Sequence, residues 1–346
     1  MNLESDVARI FRPAEGGGTC ADKTPESSFS LRSIGENEKR EAALTVVPVG
    51  ELLAEPDEPE RWLIDGLLPR GGLSILAGKP KAGKSTLARC MALAVARGDP
   101  VIGRESVAGP VIYLCLEDKR AEVAEHFRAM GAGDERLYVH TGPAPAPSDT
   151  AVEQLRQLIG QTGATLAVID TLLRFVRVRD VADYAEMTKA LDPMLDLSRE
   201  TACHVMAVYH APKVRHEGLD AILGSVAIAG TCDTGLVLDR KADGRRTLVA
   251  VQRYGPDLPE TILGLEESTR TVTTPGTVAG REQAGLADAI LAFLADGPRS
   301  EAEIRTAVGG DRGKVGKGLR ELVNASRVAR SGRGVSGDPY LYKVVE

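Results

Sequence analysis

From residue 62 onward, short apolar runs alternate with stretches whose apolar residues recur every three or four positions. The continuous runs suit strands buried on both faces, and the three-to-four spacing suits helices that cover such a sheet. The runs predict strands over 73–77, 111–116, 137–140, 166–169, 204–209, 234–238 and 246–251. Helical spacing between them predicts helices over 85–97, 120–130, 151–160 and 182–199. Asp243-Gly244, between the last two strands, is a hairpin signal. Alternation of this kind predicts an α/β fold with a wound, mostly parallel sheet.

The flanks read differently. Residues 1–45 are rich in Gly, Ser, Glu and Arg without lasting periodicity, and are expected to be disordered. A short apolar piece over 46–53 and an acidic, proline-containing run over 55–60 lead into the core, which is expected to span 46–274. Pro275 and Gly276 open an expected linker over 275–283, followed by a small domain over 284–346. That domain shows an amphipathic helix over 286–295 and a second helix opened by Ser300, with Glu303 three residues on as in a capping box. A third helix over 311–324 and a hairpin over 328–344 follow, and this order is that of a winged helix.

Composition narrows the classes. With 346 residues, 43% hydrophobic and 27% charged, the chain can bury a full core in one medium domain and one small one. Its net charge of -6 offers no chain-wide attraction for nucleic acid, so any such contact must be local. The five cysteines, Cys20, Cys90, Cys115, Cys203 and Cys232, form no C-x-x-C pair, which points to reduced thiols rather than a zinc site or disulfide framework. No apolar run approaches the ~20 residues needed to cross a bilayer. The first residues also lack the basic and apolar regions of a signal peptide, so a soluble cytoplasmic protein with no membrane partner is expected.

The chemistry centres on Gly78-Lys79-Pro80-Lys81-Ala82-Gly83-Lys84-Ser85-Thr86, which fits G-x-x-x-x-G-K-[ST] between a predicted strand and helix. In such a loop, successive backbone N–H groups and the positive end of the helix dipole converge on phosphate oxygens. Lys84 supplies a point charge to the β- and γ-phosphates, and Ser85 a hydroxyl ligand for Mg²⁺. The apolar run 166–169 ends in Asp170, placed to hold Mg²⁺ opposite Ser85. The run 111–116 ends in Glu117-Asp118; Glu117, with its longer reach, is the expected base for the attacking water. His210, at the end of the run 204–209, is expected to sense the γ-phosphate.

These residues, in this order, resemble the RecA-like hexameric helicases, especially the RepA-type ATPases of plasmid and phage replication. The likeness covers roughly 62–267 and rests on the 78–85 loop, Leu116-Glu117-Asp118, Asp170 through Phe175, His210 with Lys213, and Gly224-Ser225 with 227–233. It implies a RecA-like P-loop ATPase that takes ATP and Mg²⁺, with Glu117 catalytic, Asp170 the magnesium partner and His210 the sensor. Gln252-Arg253-Tyr254-Gly255-Pro256 is similar to the helicase segment that offers an arginine finger to a neighbouring subunit, so Arg253 would act across a ring, a hexamer in this family. The chain departs from the family at Val251, where replicative helicases carry lysine, and at Leu223, where the RepA-like ATPases often carry arginine.

In such a ring, single-stranded DNA would meet the loops bearing Arg174, Arg177 and Arg179 and bearing Lys213, Arg215 and His216, with Phe175 and Tyr184 the only nearby aromatics. The terminal domain is locally basic through Arg312, Lys314, Lys317, Arg320, Arg327, Arg330, Arg333 and Lys343, and could meet duplex DNA. The expected function is a ring-forming DNA helicase or remodelling motor of mobile-element replication. The alternatives are a RecA-like regulatory ATPase and an ATP-switched DNA-binding regulator that does not unwind.

Overall fold

The computed structural model describes residues 46–56, 61–146, 148–181, 183–210, 226–309, 311–335 and 337–345. The 1–45 segment with Cys20 lies outside the described residues. So do Lys213, Arg215, His216, Leu223 and Gly224-Ser225.

Two compact units divide the chain at residues 57 and 58. Within the first, the described residues form a short helix, α1 (Val49–Leu52), whose apolar side chains are exposed.

The second unit is built on a large sheet. Its entry is a small antiparallel pair, β1 (Trp62–Ile64) and β2 (Leu68–Pro69). The sheet itself uses β3 (Leu73–Gly78), β4 (Val111–Cys115), β5 (Leu137–Thr141), β6 (Leu166–Asp170) and β7 (His204–His210). It continues with β8 (Thr234–Arg240), β9 (Arg246–Gln252), β10 (Leu258–Glu266) and β11 (Thr271–Thr277). The spatial order is β11-β10-β9-β8-β3-β7-β6-β4-β5. Pairings from β8 through β5 are parallel, and those from β8 through β11 antiparallel. The strand order reverses around β3, so the carboxyl ends of β3, β4, β6 and β7 open at one edge, where wound α/β sheets place ligands.

Helices cover both faces, as strands without polar alternation require. Along β4, Val111, Tyr113 and Cys115 join one core with Leu87 and Met91 of α2 (Lys84–Arg97) and Val123 and Phe127 of α3 (Arg120–Ala129). Ile112 and Leu114, pointing the other way, join a second core. That core is covered by Leu155 of α4 (Ser148–Thr162) and by Met187, Leu191 and Met194 of α6 (Tyr184–Thr201); the one-turn α5 (Leu172–Phe175) adds Leu172 and Phe175.

The sheet does not end at β9, as the sequence pattern suggested: β10 and β11 extend it antiparallel. Strand β11 forms the edge and β10 lies between it and β9; both have register shifts and are interrupted, β10 by Pro259 and Gly264 and β11 by Pro275, so neither shows a long apolar run. For the same reason residues 275–283, expected as a linker, carry regular structure. Strand β11 runs to Thr277, whose side chain caps the helix Val278–Leu294 by accepting from Gly280 N–H.

After that helix come Glu301–Val308 and Arg312–Asn324, the first opened by a complete Ser300–Glu303 capping box. A three-stranded sheet of order β12 (Arg299–Ser300), β14 (Leu341–Val344) and β13 (Val328–Ser331) closes this region. Ile290, Leu294, Ile304, Leu319, Leu322 and Tyr342 form its core. No helix among the described residues is long and apolar enough to cross a membrane.

Candidate functional site

The 78–86 loop leaves the carboxyl end of β3 and enters α2. Gly78 is required by close approach: a Cβ there would meet the Leu238 carbonyl oxygen at 2.2 Å. Gly83, at φ 106°, is the N-cap of α2 and has no side chain with which to cap the first-turn N–H groups. Two contacts hold the loop from outside. Arg246 Nε donates to the Ala82 carbonyl at 3.0 Å, and Lys79 Nζ lies 3.6 Å from Asp239.

Lys84 is buried, and its ammonium donates to the carbonyls of Gly78 at 2.8 Å and Lys79 at 2.9 Å, inside the curve of the loop. Burial lowers its pKa to about 8, while the nearby Asp170 and Glu117 carboxylates hold it up. Asp170 ends β6, adjacent to β7 and β4, and is 5% exposed. Its Oδ2 accepts from the Tyr113 hydroxyl at 2.9 Å; burial raises its pKa, opposed by hydrogen bonds from Tyr113 and Ser85. The Asp170–Thr171 peptide is cis.

Glu117 follows β4 and stands over these groups. Its Oε1 accepts from Thr171 Oγ1 at 3.1 Å and Arg174 Nε at 3.0 Å, and its Oε2 lies 3.8 Å from His210 Nε2. The neighbouring Asp118 is engaged elsewhere: it pairs with Arg89 of α2, which is 1% exposed and also contacts His126 and Cys115. His210 ends β7. Burial, with the Lys84 charge next, lowers its pKa, and its buried Nδ1 has no hydrogen-bond partner among the described residues.

Lys84, Ser85, Asp170, Glu117 and His210 thus converge at one edge of the sheet. Arg253 does not join them. It follows β9, its Nη2 donates to the Gly230 carbonyl at 2.8 Å, and its Nη1 lies 3.6 Å from the buried Asp233. Asp233 also accepts from Leu73 N–H and from Arg199, at the opposite ends of β3 and β8 from the loop. Phe175, expected near nucleic acid, is buried in the core and cannot stack on a base, whereas Tyr184 is exposed. Arg174 is exposed but turned onto Glu117.

The donor set fits Mg²⁺. A hydroxyl and a buried carboxylate in mutual contact are hard oxygen donors, and magnesium beside phosphates takes few protein ligands. The described residues hold no cluster of three or more His, Cys, Asp or Glu side chains suited to a metal bound by protein alone. Sequence reasoning missed Tyr113, Arg89 and Arg246, and gave Thr171, inside the 170–175 segment, no role of its own. Arg89 alone left a trace, as a charged residue inside the apolar face of a predicted helix.

A sequence profile of the AAA domain family matches residues 37–216, more than half of the chain. No curated protein matches the sequence. Among solved structures, a KaiC-like protein from the hyperthermophilic archaeon Pyrococcus horikoshii is similar at TM-score 0.45 and 16% identity, over 61% of this chain and 93% of that one.

Proposed function

We propose, from the premise that this chain belongs to the AAA domain family of P-loop ATPases, that it hydrolyses ATP with Mg²⁺ as a ring-forming motor on DNA. The observation that carries the reading is the convergence of Lys84, Asp170, Glu117 and His210 on the 78–86 loop. Lys84 and the loop N–H groups would bind the β- and γ-phosphates. Ser85 directly, and Asp170 through water, would hold Mg²⁺, which when bound offsets charge on the transferred phosphoryl group. With Oε1 of Glu117 engaged by Thr171 and Arg174, Oε2 is left to take a proton from the attacking water. His210, whose Nδ1 has no partner among the described residues, would register the γ-phosphate.

Arg253 lies away from its own loop, which suits a finger offered to the next subunit of a hexameric ring. Single-stranded DNA would follow the basic side chains Arg174, Arg177 and Arg179 and, from a segment outside the described residues, Lys213, Arg215 and His216. Residues 284–346, read as a winged helix with basic Arg312, Lys314, Lys317 and Arg320 on its third helix, would meet duplex DNA. The setting we propose is cytoplasmic, in plasmid, phage or other mobile-element replication.

A second reading, an ATP-switched DNA-binding regulator, is favoured by one observation: the helix Val278–Leu294 touches β10, β11 and β14 and so joins the nucleotide sheet to the basic region. Turnover and forked-duplex unwinding with Mg-ATP separate the readings. Lys84→Ala is expected to lose nucleotide binding. Glu117→Gln should keep binding while turnover falls ~10²-fold or more. Parent that turns over ATP without unwinding supports the regulator, and parent that binds no nucleotide rejects both.

A further inference from the structure

We infer that Arg246 is a positioning residue for phosphate binding: from β9 it fixes the Ala82–Gly83 peptide so that the Gly83 N–H faces the bound phosphates. The inference rests on reading the 78–86 loop as the phosphate cradle, but it concerns a residue outside that motif. Arg246 Nε donates to the Ala82 carbonyl at 3.0 Å. The only cis peptide among the described residues is Asp170–Thr171, so the Ala82–Gly83 peptide is trans. In a trans peptide the C=O and N–H point in opposite directions. A carbonyl drawn outward to Arg246 therefore turns the Gly83 N–H inward, toward the side where the Lys84 ammonium lies against Gly78 and Lys79.

The anchor matters because of Gly83 itself. At φ 106° it occupies backbone space that few other residues tolerate, and the same freedom lets its peptide rotate unless something holds it. Arg246 passes directly outside it: a Cβ on Gly83 would meet Arg246 Nε at 3.5 Å and Cδ at 3.8 Å. The arginine in turn comes from an inner strand, opposite Arg240 on β8 and Leu263 on β10, so its backbone is held from both sides. A donor fixed in this way pre-orders an N–H that would otherwise be ordered at the expense of binding.

Three substitutions in the full chain separate positioning from charge. The Nε2 of glutamine stands the same number of bonds from the backbone as Arg246 Nε, so Arg246→Gln keeps the donor and loses the charge. Arg246→Met keeps the length and loses both. Arg246→Lys keeps the charge without the donor at that position. Calorimetric titration with ADP and with AMP, both without Mg²⁺, reads the result. The expectation is near-parental ADP affinity for Arg246→Gln and about tenfold weaker binding for Arg246→Met and Arg246→Lys, the scale of one hydrogen bond to a charged ligand. The loss should be smaller for AMP, which lacks the β-phosphate. Equal weakening of the glutamine and methionine variants, or parental affinity in all three, overturns the inference. If the parent itself fails to bind ADP, the reading of the cradle is what falls.

Discussion

His204 opens β7 and is wholly buried, with Nδ1 2.6 Å from the Pro69 carbonyl of β2 and Nε2 2.8 Å from the Ser74 hydroxyl of β3. The carbonyl can only accept, so Nδ1 carries the proton and Nε2 accepts from Ser74, which satisfies the neutral ring. Burial lowers its pKa from 6.5 to about 4. Between those values the unfolded chain takes up a proton that the folded chain refuses. Stability contributed by the neutral ring is therefore complete above pH 6.5 and is lost as pH falls toward 4, by on the order of 3 kcal/mol. Denaturant unfolding at pH 7 and pH 5 should show the parent losing stability; His204→Gln should flatten that dependence, and an unchanged slope would remove the histidine from the account. At this scale the loop, Asp170 and Glu117 could be proposed from the sequence because each is marked by a local pattern, the loop by its glycine–lysine spacing and the two acids by ending apolar runs. Tyr113, Arg89 and Arg246 could not, because each acts on a partner far along the chain: Tyr113 on Asp170, Arg89 on Asp118, Arg246 on Ala82. Nothing in a linear pattern distinguishes a buried strand tyrosine that packs from one whose hydroxyl is spent on a carboxylate.

Elements were most legible where a run or a cap was complete. The core strands β3 through β9 stand where apolar runs stood, and the helix after β12 opens on the residue that the Ser300–Glu303 spacing marked. Helix α6 continues through Pro193, a residue that usually interrupts a helix, because Met187, Leu191, Met194 and Leu197 keep one apolar face against the sheet. The Ser300 side chain accepts from Glu303 N–H while the Glu303 carboxylate accepts from Ser300 N–H, which satisfies two otherwise unpaired donors. Ser300→Ala should cost about 1 kcal/mol, the usual weight of an N-cap. A shift of the urea midpoint at constant slope would show it, and no shift would mean that solvent replaces the cap without loss. Strands β10 and β11 escaped prediction because Pro259, Gly264 and Pro275 break the apolar runs that mark the other strands.

For the whole molecule, Arg253 sits with Gly230 and Asp233 rather than at its own phosphate loop, so the proposed finger is tested by mixing variants. Should Arg253 complete a neighbour's site, Lys84→Ala and Arg253→Ala would each be inactive alone, yet a mixture would regain turnover. A loop from the second variant would then meet an arginine from the first. With random equal mixing in a ring about a quarter of the junctions qualify, so up to about a quarter of parental turnover is expected. A mixture as inactive as its parts would leave Arg253 with its observed task of bracing Gly230 and Asp233.

The passage from Thr277 directly into Val278, with no residue between strand and helix, has a mechanical corollary. A load applied to the carboxyl-terminal body finds no slack tether to take it up. It arrives at the rim of the sheet and travels across three antiparallel neighbours to the strands whose Leu238 carbonyl and Arg246 guanidinium wall the glycine loop. A grip at one end and a nucleotide at the other would then pull on the same beam.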